Sequence, residues 1–186
     1  LSEGIASAFR GSAQMEELVT SSARRYNEDV VQQLRSFRFT EDRLNVGVYG
    51  VTAAGKSYFM SAFCREACRM NYRCVYIDYC DLLDELLILS KRDSLERYRK
   101  RLKYYARLQL LFIDDFAISR YSEDGIKILY HLIKTRTDLG TSTMFTCQYA
   151  PSEWGKQLSD EEGCYGKLDG IRRRLTTGYT VHIERL

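Results

Sequence analysis

Eight consecutive residues, Gly50-Val51-Thr52-Ala53-Ala54-Gly55-Lys56-Ser57, have the spacing G-x-x-x-x-G-K-[ST] of a phosphate-binding loop. Glycines at the two ends let the backbone wrap closely enough for successive N–H groups to face phosphate oxygens. A helix beginning at Lys56 adds its N-terminal N–H groups and the positive end of its dipole. Lys56 supplies a charge for the β- and γ-phosphates, and the Ser57 hydroxyl is a ligand for Mg²⁺. The nucleotide-contacting set expected from this loop is Gly50, Val51, Thr52, Ala53, Ala54, Gly55, Lys56, Ser57 and Tyr58. The alternative is an ordinary glycine-rich turn between strand and helix.

A second element, Leu110-Leu111-Phe112-Ile113-Asp114-Asp115, places Asp114 58 residues after Lys56. Four apolar residues suit a strand in the middle of a sheet, and two carboxylates emerge at its end. Asp114 is expected to hold Mg²⁺, and Asp115 to orient or deprotonate an attacking water. At the end of the next apolar run, Gln148 is placed to bond a γ-phosphate or the water, or else to cap the strand at the surface. Arg172-Arg173-Arg174 can clamp a γ-phosphate from a neighbouring subunit, or form a solvated basic turn.

These residues need elements to hold them. Strands are predicted at Asn45–Tyr49, Cys74–Asp78, Leu110–Ile113, Thr143–Cys147 and Tyr179–Ile183. Helices are predicted at Asn27–Phe37, Lys56–Met70, Leu82–Leu89 and around Ile126–Ile133, with short helical pieces before Thr20 marked by Leu1, Ile5 and Phe9. Strands alternating with helices imply an α/β layered sandwich on a parallel sheet. The chain has 186 residues, 45% hydrophobic and 28% charged, with a single proline, which suits one globular domain and excludes disordered and collagen-like classes. No apolar run approaches the roughly 18 residues of a membrane span, and the start lacks a signal-peptide pattern, so a cytoplasmic domain is expected.

Net charge is +3, but its distribution is uneven. Between Lys91 and Arg107 stand Lys91, Arg92, Arg97, Arg99, Lys100, Arg101, Lys103 and Arg107 against Asp93 and Glu96, a local +6 that leaves the remainder at −3. Such a segment, with Tyr98, Tyr104 and Tyr105 among its charges, suits contacts to a nucleic-acid backbone; the alternative is a solvated helix face. The expected DNA contacts are Lys91, Arg92, Arg97, Lys100, Arg101 and Lys103. Six cysteines contain no C-x-x-C pair, so buried thiols are expected in place of a zinc cluster. His131 shares a face with Lys127 and Lys134 and is expected in solvent, against a Ser-His-Asp hydrolase.

The stretches NVGVYGVTAAGKSYF, CREACRMNYRCVYIDYCDLLDEL, LQLLFIDDF and CQYAPSEW resemble AAA+ ATPases of the IstB-like and DnaC-like group, over the chain from about Met15 onward. Pro151-Ser152-Glu153-Trp154 and DLLDEL point within it to the IstB-like helper ATPases of insertion sequences. The resemblance implies a three-layer αβα sandwich on a five-stranded parallel P-loop sheet of AAA+ type, with residues 1–20 an N-terminal helical remnant and 21–186 the ATPase domain. It implies ATP and Mg²⁺ as cofactors, slow hydrolysis stimulated by DNA or assembly, homo-oligomers on duplex DNA, and delivery of target DNA to a partner transposase. The second reading is a helicase loader of the DnaC type; a small-molecule kinase and an ATP-holding assembly switch are further classes. Asp114 and Asp115 match the family's second nucleotide motif and Gln148 its sensor. Arg174, in Arg-Leu-x-x-Gly-Tyr-Thr-Val, matches the arginine finger that acts across subunits. The basic segment lies where initiator-type members carry a DNA-gripping helix. Three departures stand out. Ala53 replaces a common loop glycine, and Asp115 is one methylene shorter than the usual Glu. Little chain follows Leu175, so a helical lid is expected to be absent or minimal and the N-terminal partner-binding region vestigial.

Overall fold

Strands apolar on both faces demand cover on both sides, and the molecule meets that demand with two helical layers. The computed structural model describes residues 13–18, 24–92 and 95–185. In chain order the elements are β1 (Arg24–Arg25), α1 (Glu28–Arg35), α2 (Arg38–Glu41), β2 (Asn45–Tyr49), α3 (Lys56–Arg69), β3 (Cys74–Asp78), α4 (Tyr79–Lys91) and α5 (Leu95–Ala106). There follow β4 (Leu110–Asp114), α6 (Glu123–Leu139), β5 (Ser142–Cys147), α7 (Trp154–Leu158), α8 (Tyr165–Leu175), β6 (Gly178–His182) and β7 (Glu184–Arg185).

The main sheet has five parallel strands in the order β3-β4-β5-β2-β6, and β1 pairs antiparallel with β7. Its register sets Asp78 beside Asp114 and Tyr49 beside Cys147, so the acidic end of β4 and the exit of β2 share one edge. Along β4 the faces alternate. Leu110 and Phe112 pack with Val46, Val48 and Met144 under α1 and α3, while Leu111 and Ile113 face the layer of α4, α5, α6 and α8. The five-stranded parallel α/β sandwich is therefore present as expected.

Local chemistry moved several boundaries. Helix α4 begins three residues before the predicted Leu82, because the Asp78 carboxylate accepts N–H bonds from Cys80 (2.7 Å) and Asp81 (3.4 Å) and caps it there. The predicted helix to Phe37 stops at Arg35; Phe37 takes φ 56°, turning the chain so that its ring is buried. Helices α7 and α8 were not anticipated. In α8 the apolar residues Leu168, Ile171 and Leu175 stand among charges and glycines, and Gly170 is required because a Cβ there would meet the Tyr130 ring at 2.7 Å. Of the expected N-terminal pieces only the 3₁₀ turn Glu16–Leu18 falls within the described residues; Leu1, Ile5 and Phe9 lie outside them. Ala13, Met15 and Leu18 are buried in the layer that holds α3. His131 is exposed, as expected. Among the described residues no helix is long and apolar enough to cross a membrane, and none follows α8.

Buried Arg136 joins the layers. Its guanidinium donates to the carbonyls of Tyr105 (2.7 Å), Leu108 (3.0 Å) and Ser142 and to Thr143 Oγ1 (2.9 Å), so it caps the exit of α5 and anchors it beside β5.

Candidate functional site

The phosphate loop runs from the end of β2 into α3 at the edge of the sheet where the strands end. Gly50 has no alternative: a Cβ there would lie 2.5 Å from the Ile183 carbonyl oxygen. Gly55 precedes the helix at φ 98°, in the left-handed region that glycine tolerates. Ala53 also sits in that region, at φ 63°, which costs an alanine about 1 kcal/mol. The anticipated departure at this position is thus one of backbone strain as well as of methyl bulk.

Lys56 is buried, and its Nζ donates to the Val51 carbonyl across the loop (2.9 Å). Burial lowers its pKa, opposed by the charges of Asp115, Cys147 and Asp114, which favour the ammonium. One helical position on, Ser57 Oγ donates to Asp114 Oδ1 at 3.0 Å. A hydroxyl and a carboxylate oxygen so close are the donor set a hard cation such as Mg²⁺ prefers, and these two residues would hold it.

Four donors converge on Asp114. Ser57 Oγ, Thr146 Oγ1 (2.5 Å) and the Asp115 N–H (3.1 Å) meet Oδ1, while Tyr76 donates its hydroxyl proton to Oδ2 at 2.5 Å. Burial, then the adjacent Asp114 charge, raise the Tyr76 pKa, so the phenol remains a donor. The Asp115 N–H also reaches Thr146 Oγ1 (2.8 Å), which fixes Asp115 at φ 51°. Its carboxylate is thereby held beside the loop in a conformation an L residue rarely adopts.

Gln148 lies against the same loop, its Oε1 accepting from Thr52 Oγ1 (2.8 Å) and its Nε2 donating to the Tyr149 hydroxyl (3.1 Å). Behind it Trp154, from the Pro151–Trp154 stretch, is buried against Phe116 and Phe145 and donates its indole N–H to the Tyr149 carbonyl. Thr146 and Tyr76 had no signature in the sequence: each sits mid-strand and acquires its role from parallel register with β4. A polar residue two positions before Gln148 was the one available hint.

Arg174 is elsewhere. Its carbonyl accepts from Asn45 Nδ2 at the start of β2, its guanidinium donates to Gly170 O (3.0 Å) and stacks over Tyr130 (5.4 Å). With Arg43 and Arg173 it lines a cleft of about 310 Å³ at the end of the sheet opposite the loop. Arg172 and Arg173 share Asp169.

The basic segment forms α5, a helix whose buried side is Leu102, Tyr105 and Ala106. Arg97, Arg99, Lys100 and Lys103 lie on its exposed surface, and Lys91 and Arg92 are exposed at the end of α4. Arg101 differs from its neighbours. It binds Glu85 at 2.5 Å, bonds the Tyr105 hydroxyl and stacks on the Tyr104 and Tyr105 rings, so its charge is used inside the chain.

Comparison with known proteins agrees with this geometry. Residues 4–176 match the family of IstB-like ATP binding proteins. A Pseudomonas fluorescens protein named as an ATP-binding protein of insertion sequence IS1162 is 30% identical over 77% of this chain and 60% of its own length. Its counterpart in insertion sequence IS232 of Bacillus thuringiensis subsp. berliner is 26% identical over 81% and 58%. The chain thus spans about three-fifths of these relatives. Among solved structures, AMPPCP-bound DnaA from Aquifex aeolicus superposes with a TM-score of 0.72 at 18% identity, over 94% of this chain and 51% of that one, a likeness of fold alone. With its phosphate loop, its acidic β4 and a family match over almost its whole length, this chain belongs to the IstB-like ATP binding proteins, on an AAA+ type α/β fold.

Proposed function

We propose that the chain is a Mg²⁺-dependent ATPase that assembles on duplex DNA and presents it to a partner transposase. The observation that carries this reading is the convergence of Lys56, Ser57, Asp114, Asp115 and Gln148 on one loop, in a family whose relatives are named for insertion sequences. The loop N–H groups and Lys56 neutralise the β- and γ-phosphates, and Ser57 and Asp114 hold Mg²⁺. Asp115 accepts a proton from a water whose oxygen attacks the γ-phosphorus as the bond to ADP breaks. Gln148, tied to Thr52, orients that water or the γ-phosphate. Arg174 serves a neighbouring copy's nucleotide, and the exposed cations of α5, with Lys91 and Arg92, contact DNA phosphates.

Sedimentation of the chain with duplex DNA under ATP, ADP and no nucleotide tests this. Large complexes that need both ATP and duplex DNA are expected. A marked preference for single strands would favour the helicase-loader reading, and a monomer indifferent to DNA in all three states would refute assembly on DNA.

A further inference from the structure

Away from the phosphate site, three thiols meet. Cys64 and Cys68 lie one turn apart on α3, and Cys74 opens β3, the strand beneath that helix. Their sulfurs all fall within 4.8 Å of one another, with Cys68 and Cys74 Sγ 3.5 Å apart. Cys64 and Cys74 are buried and Cys68 is partly exposed. We propose that Cys64, Cys68 and Cys74 form a three-thiolate site for one soft d¹⁰ metal ion, Zn(II) or Cu(I).

The spacing fits such an ion with little movement. Sulfurs about 2.3 Å from a common metal stand about 3.8 Å apart in a tetrahedron and about 4.0 Å apart in a trigonal plane, both inside the observed range. No other His, Cys, Asp or Glu joins the group among the described residues. Cu(I) is satisfied by three sulfurs, whereas Zn(II) takes a water as fourth ligand on the exposed Cys68 side. That side is also the entry path. The available signal was the C-x-x-x-C spacing, which on a helix puts both sulfurs on one face.

The site has a direct mechanical connection to the nucleotide loop. Ser57, Ser61, Cys64 and Cys68 recur along one face of α3 at helical spacing, and Ser57 at the head of that face bonds Asp114. On β3, Cys74 and Tyr76 share a face, and Tyr76 donates to Asp114. A metal on the three sulfurs therefore clamps the tail of α3 to the strand that steadies the acidic residue at its head.

The test uses the whole chain, reduced and metal-stripped. It is titrated with Co(II) as a coloured stand-in for Zn(II), with Zn(II) against a chromophoric chelator, and anaerobically with Cu(I) against a Cu(I) chelator. Binding of one equivalent tighter than micromolar is expected, with a sulfur-to-cobalt charge-transfer band for Co(II), and thermal unfolding shifts upward with the metal bound. Cys68→Ser, at the partly exposed position, keeps the circular dichroism of the parent and weakens binding at least tenfold; Cys64→Ser with Cys74→Ser abolishes it. Cys80→Ser and Cys164→Ser leave it unchanged. Tight Cu(I) binding without Zn(II) or Co(II) binding supports the site and identifies copper. Failure of the reduced chain to bind any of the three, or binding that survives Cys68→Ser undiminished, overturns the proposal.

Discussion

Thr146→Val isolates the contact on which the proposed geometry of hydrolysis depends. The substitution keeps the shape of the buried side chain and deletes one hydroxyl, which donates to Asp114 Oδ1 at 2.5 Å and accepts the Asp115 N–H at 2.8 Å. A hydrogen bond to a charged acceptor contributes about 1.5–3 kcal/mol, and the buried methyl returns somewhat under 1 kcal/mol, so about 1–2 kcal/mol is lost. In a chain of this size that lowers Tm by about 2–8 °C. Asp114 keeps Ser57 and Tyr76, so ATP binding should change less than about threefold. The Asp115 N–H loses the shorter of its two bonds and keeps the 3.1 Å one to Asp114, which weakens the hold on φ 51° against a preference of about 1–2 kcal/mol for ordinary backbone. Its carboxylate then leaves the attacking water, and DNA-stimulated turnover should fall about 10- to 100-fold. Phosphate release, titration with a fluorescent ATP analogue and thermal unfolding measure the three quantities. Tyr76→Phe, which strips the other carboxylate oxygen, should couple non-additively with it. Turnover within twofold of the parent together with an unchanged Tm would refute the role given to Thr146.

Further outcomes are expected. Lys56→Ala removes the buried ammonium that spans the loop and should reduce ATP affinity at least 100-fold; unchanged affinity in the same titration would contradict the placement of the phosphate site. Ala53→Gly relieves a left-handed alanine and should tighten ATP binding several-fold with little change in Tm, whereas weaker binding would show that the strain is useful. Changing Arg97, Lys100 and Lys103 together to Gln should lower the slope of log affinity for duplex DNA against log salt by about 2–3, as three phosphate contacts release fewer counterions. Arg101→Gln should leave that slope alone and lower Tm through loss of Glu85 and the tyrosine stack; a reduced slope would return Arg101 to the DNA-contacting set. Arg174→Ala should preserve ATP binding by the isolated chain and abolish DNA-stimulated hydrolysis and large complexes, and normal assembly by sedimentation would remove it from the interface.

Residues that announce themselves do so through local rules. The loop Gly50–Ser57, the run into Asp114 and Asp115, and the strand-helix alternation depend on neighbours in sequence, and each stands where expected. What was hidden depends on register between distant segments. Tyr76 and Thr146 become donors to Asp114 only because β3 and β5 flank β4 in parallel, a strand order no single segment encodes. Arg101 was indistinguishable from Arg97 or Lys100 until α5 docked beside α4 and met Glu85. No C-x-x-C marks the thiols as a group, although folding α3 onto β3 brings three together. Helix α8 carries a weak apolar pattern because its buried residues are diluted by charges and glycines, of which Gly170 is required by close packing on Tyr130.

Strand β5 links these pieces into a reason why one copy of the chain makes a poor catalyst in the proposed reading. At its start the Thr143 N–H bonds Asn45 Oδ1 (2.8 Å) and its hydroxyl meets Arg136; at its end Thr146 and Gln148 serve the nucleotide loop. Asn45 passes the connection to the Arg174 carbonyl. From Asn45 to Gly50 the chain climbs about 16 Å at roughly 3.3 Å per residue. No arginine side chain spans that distance, so Arg174 cannot reach the phosphates bound by its own loop. The charge it would add at the transition state, worth about 10³–10⁵ in kcat where such arginines act, must come from another copy. That factor corresponds to about 4–7 kcal/mol of barrier. Nucleotide binding by one chain and hydrolysis by two are then separable, and a polymer that gathers copies along its phosphates through α5 acts on the second step. DNA would control turnover by controlling who stands next to whom, with no change required at Lys56, Ser57 or Asp114.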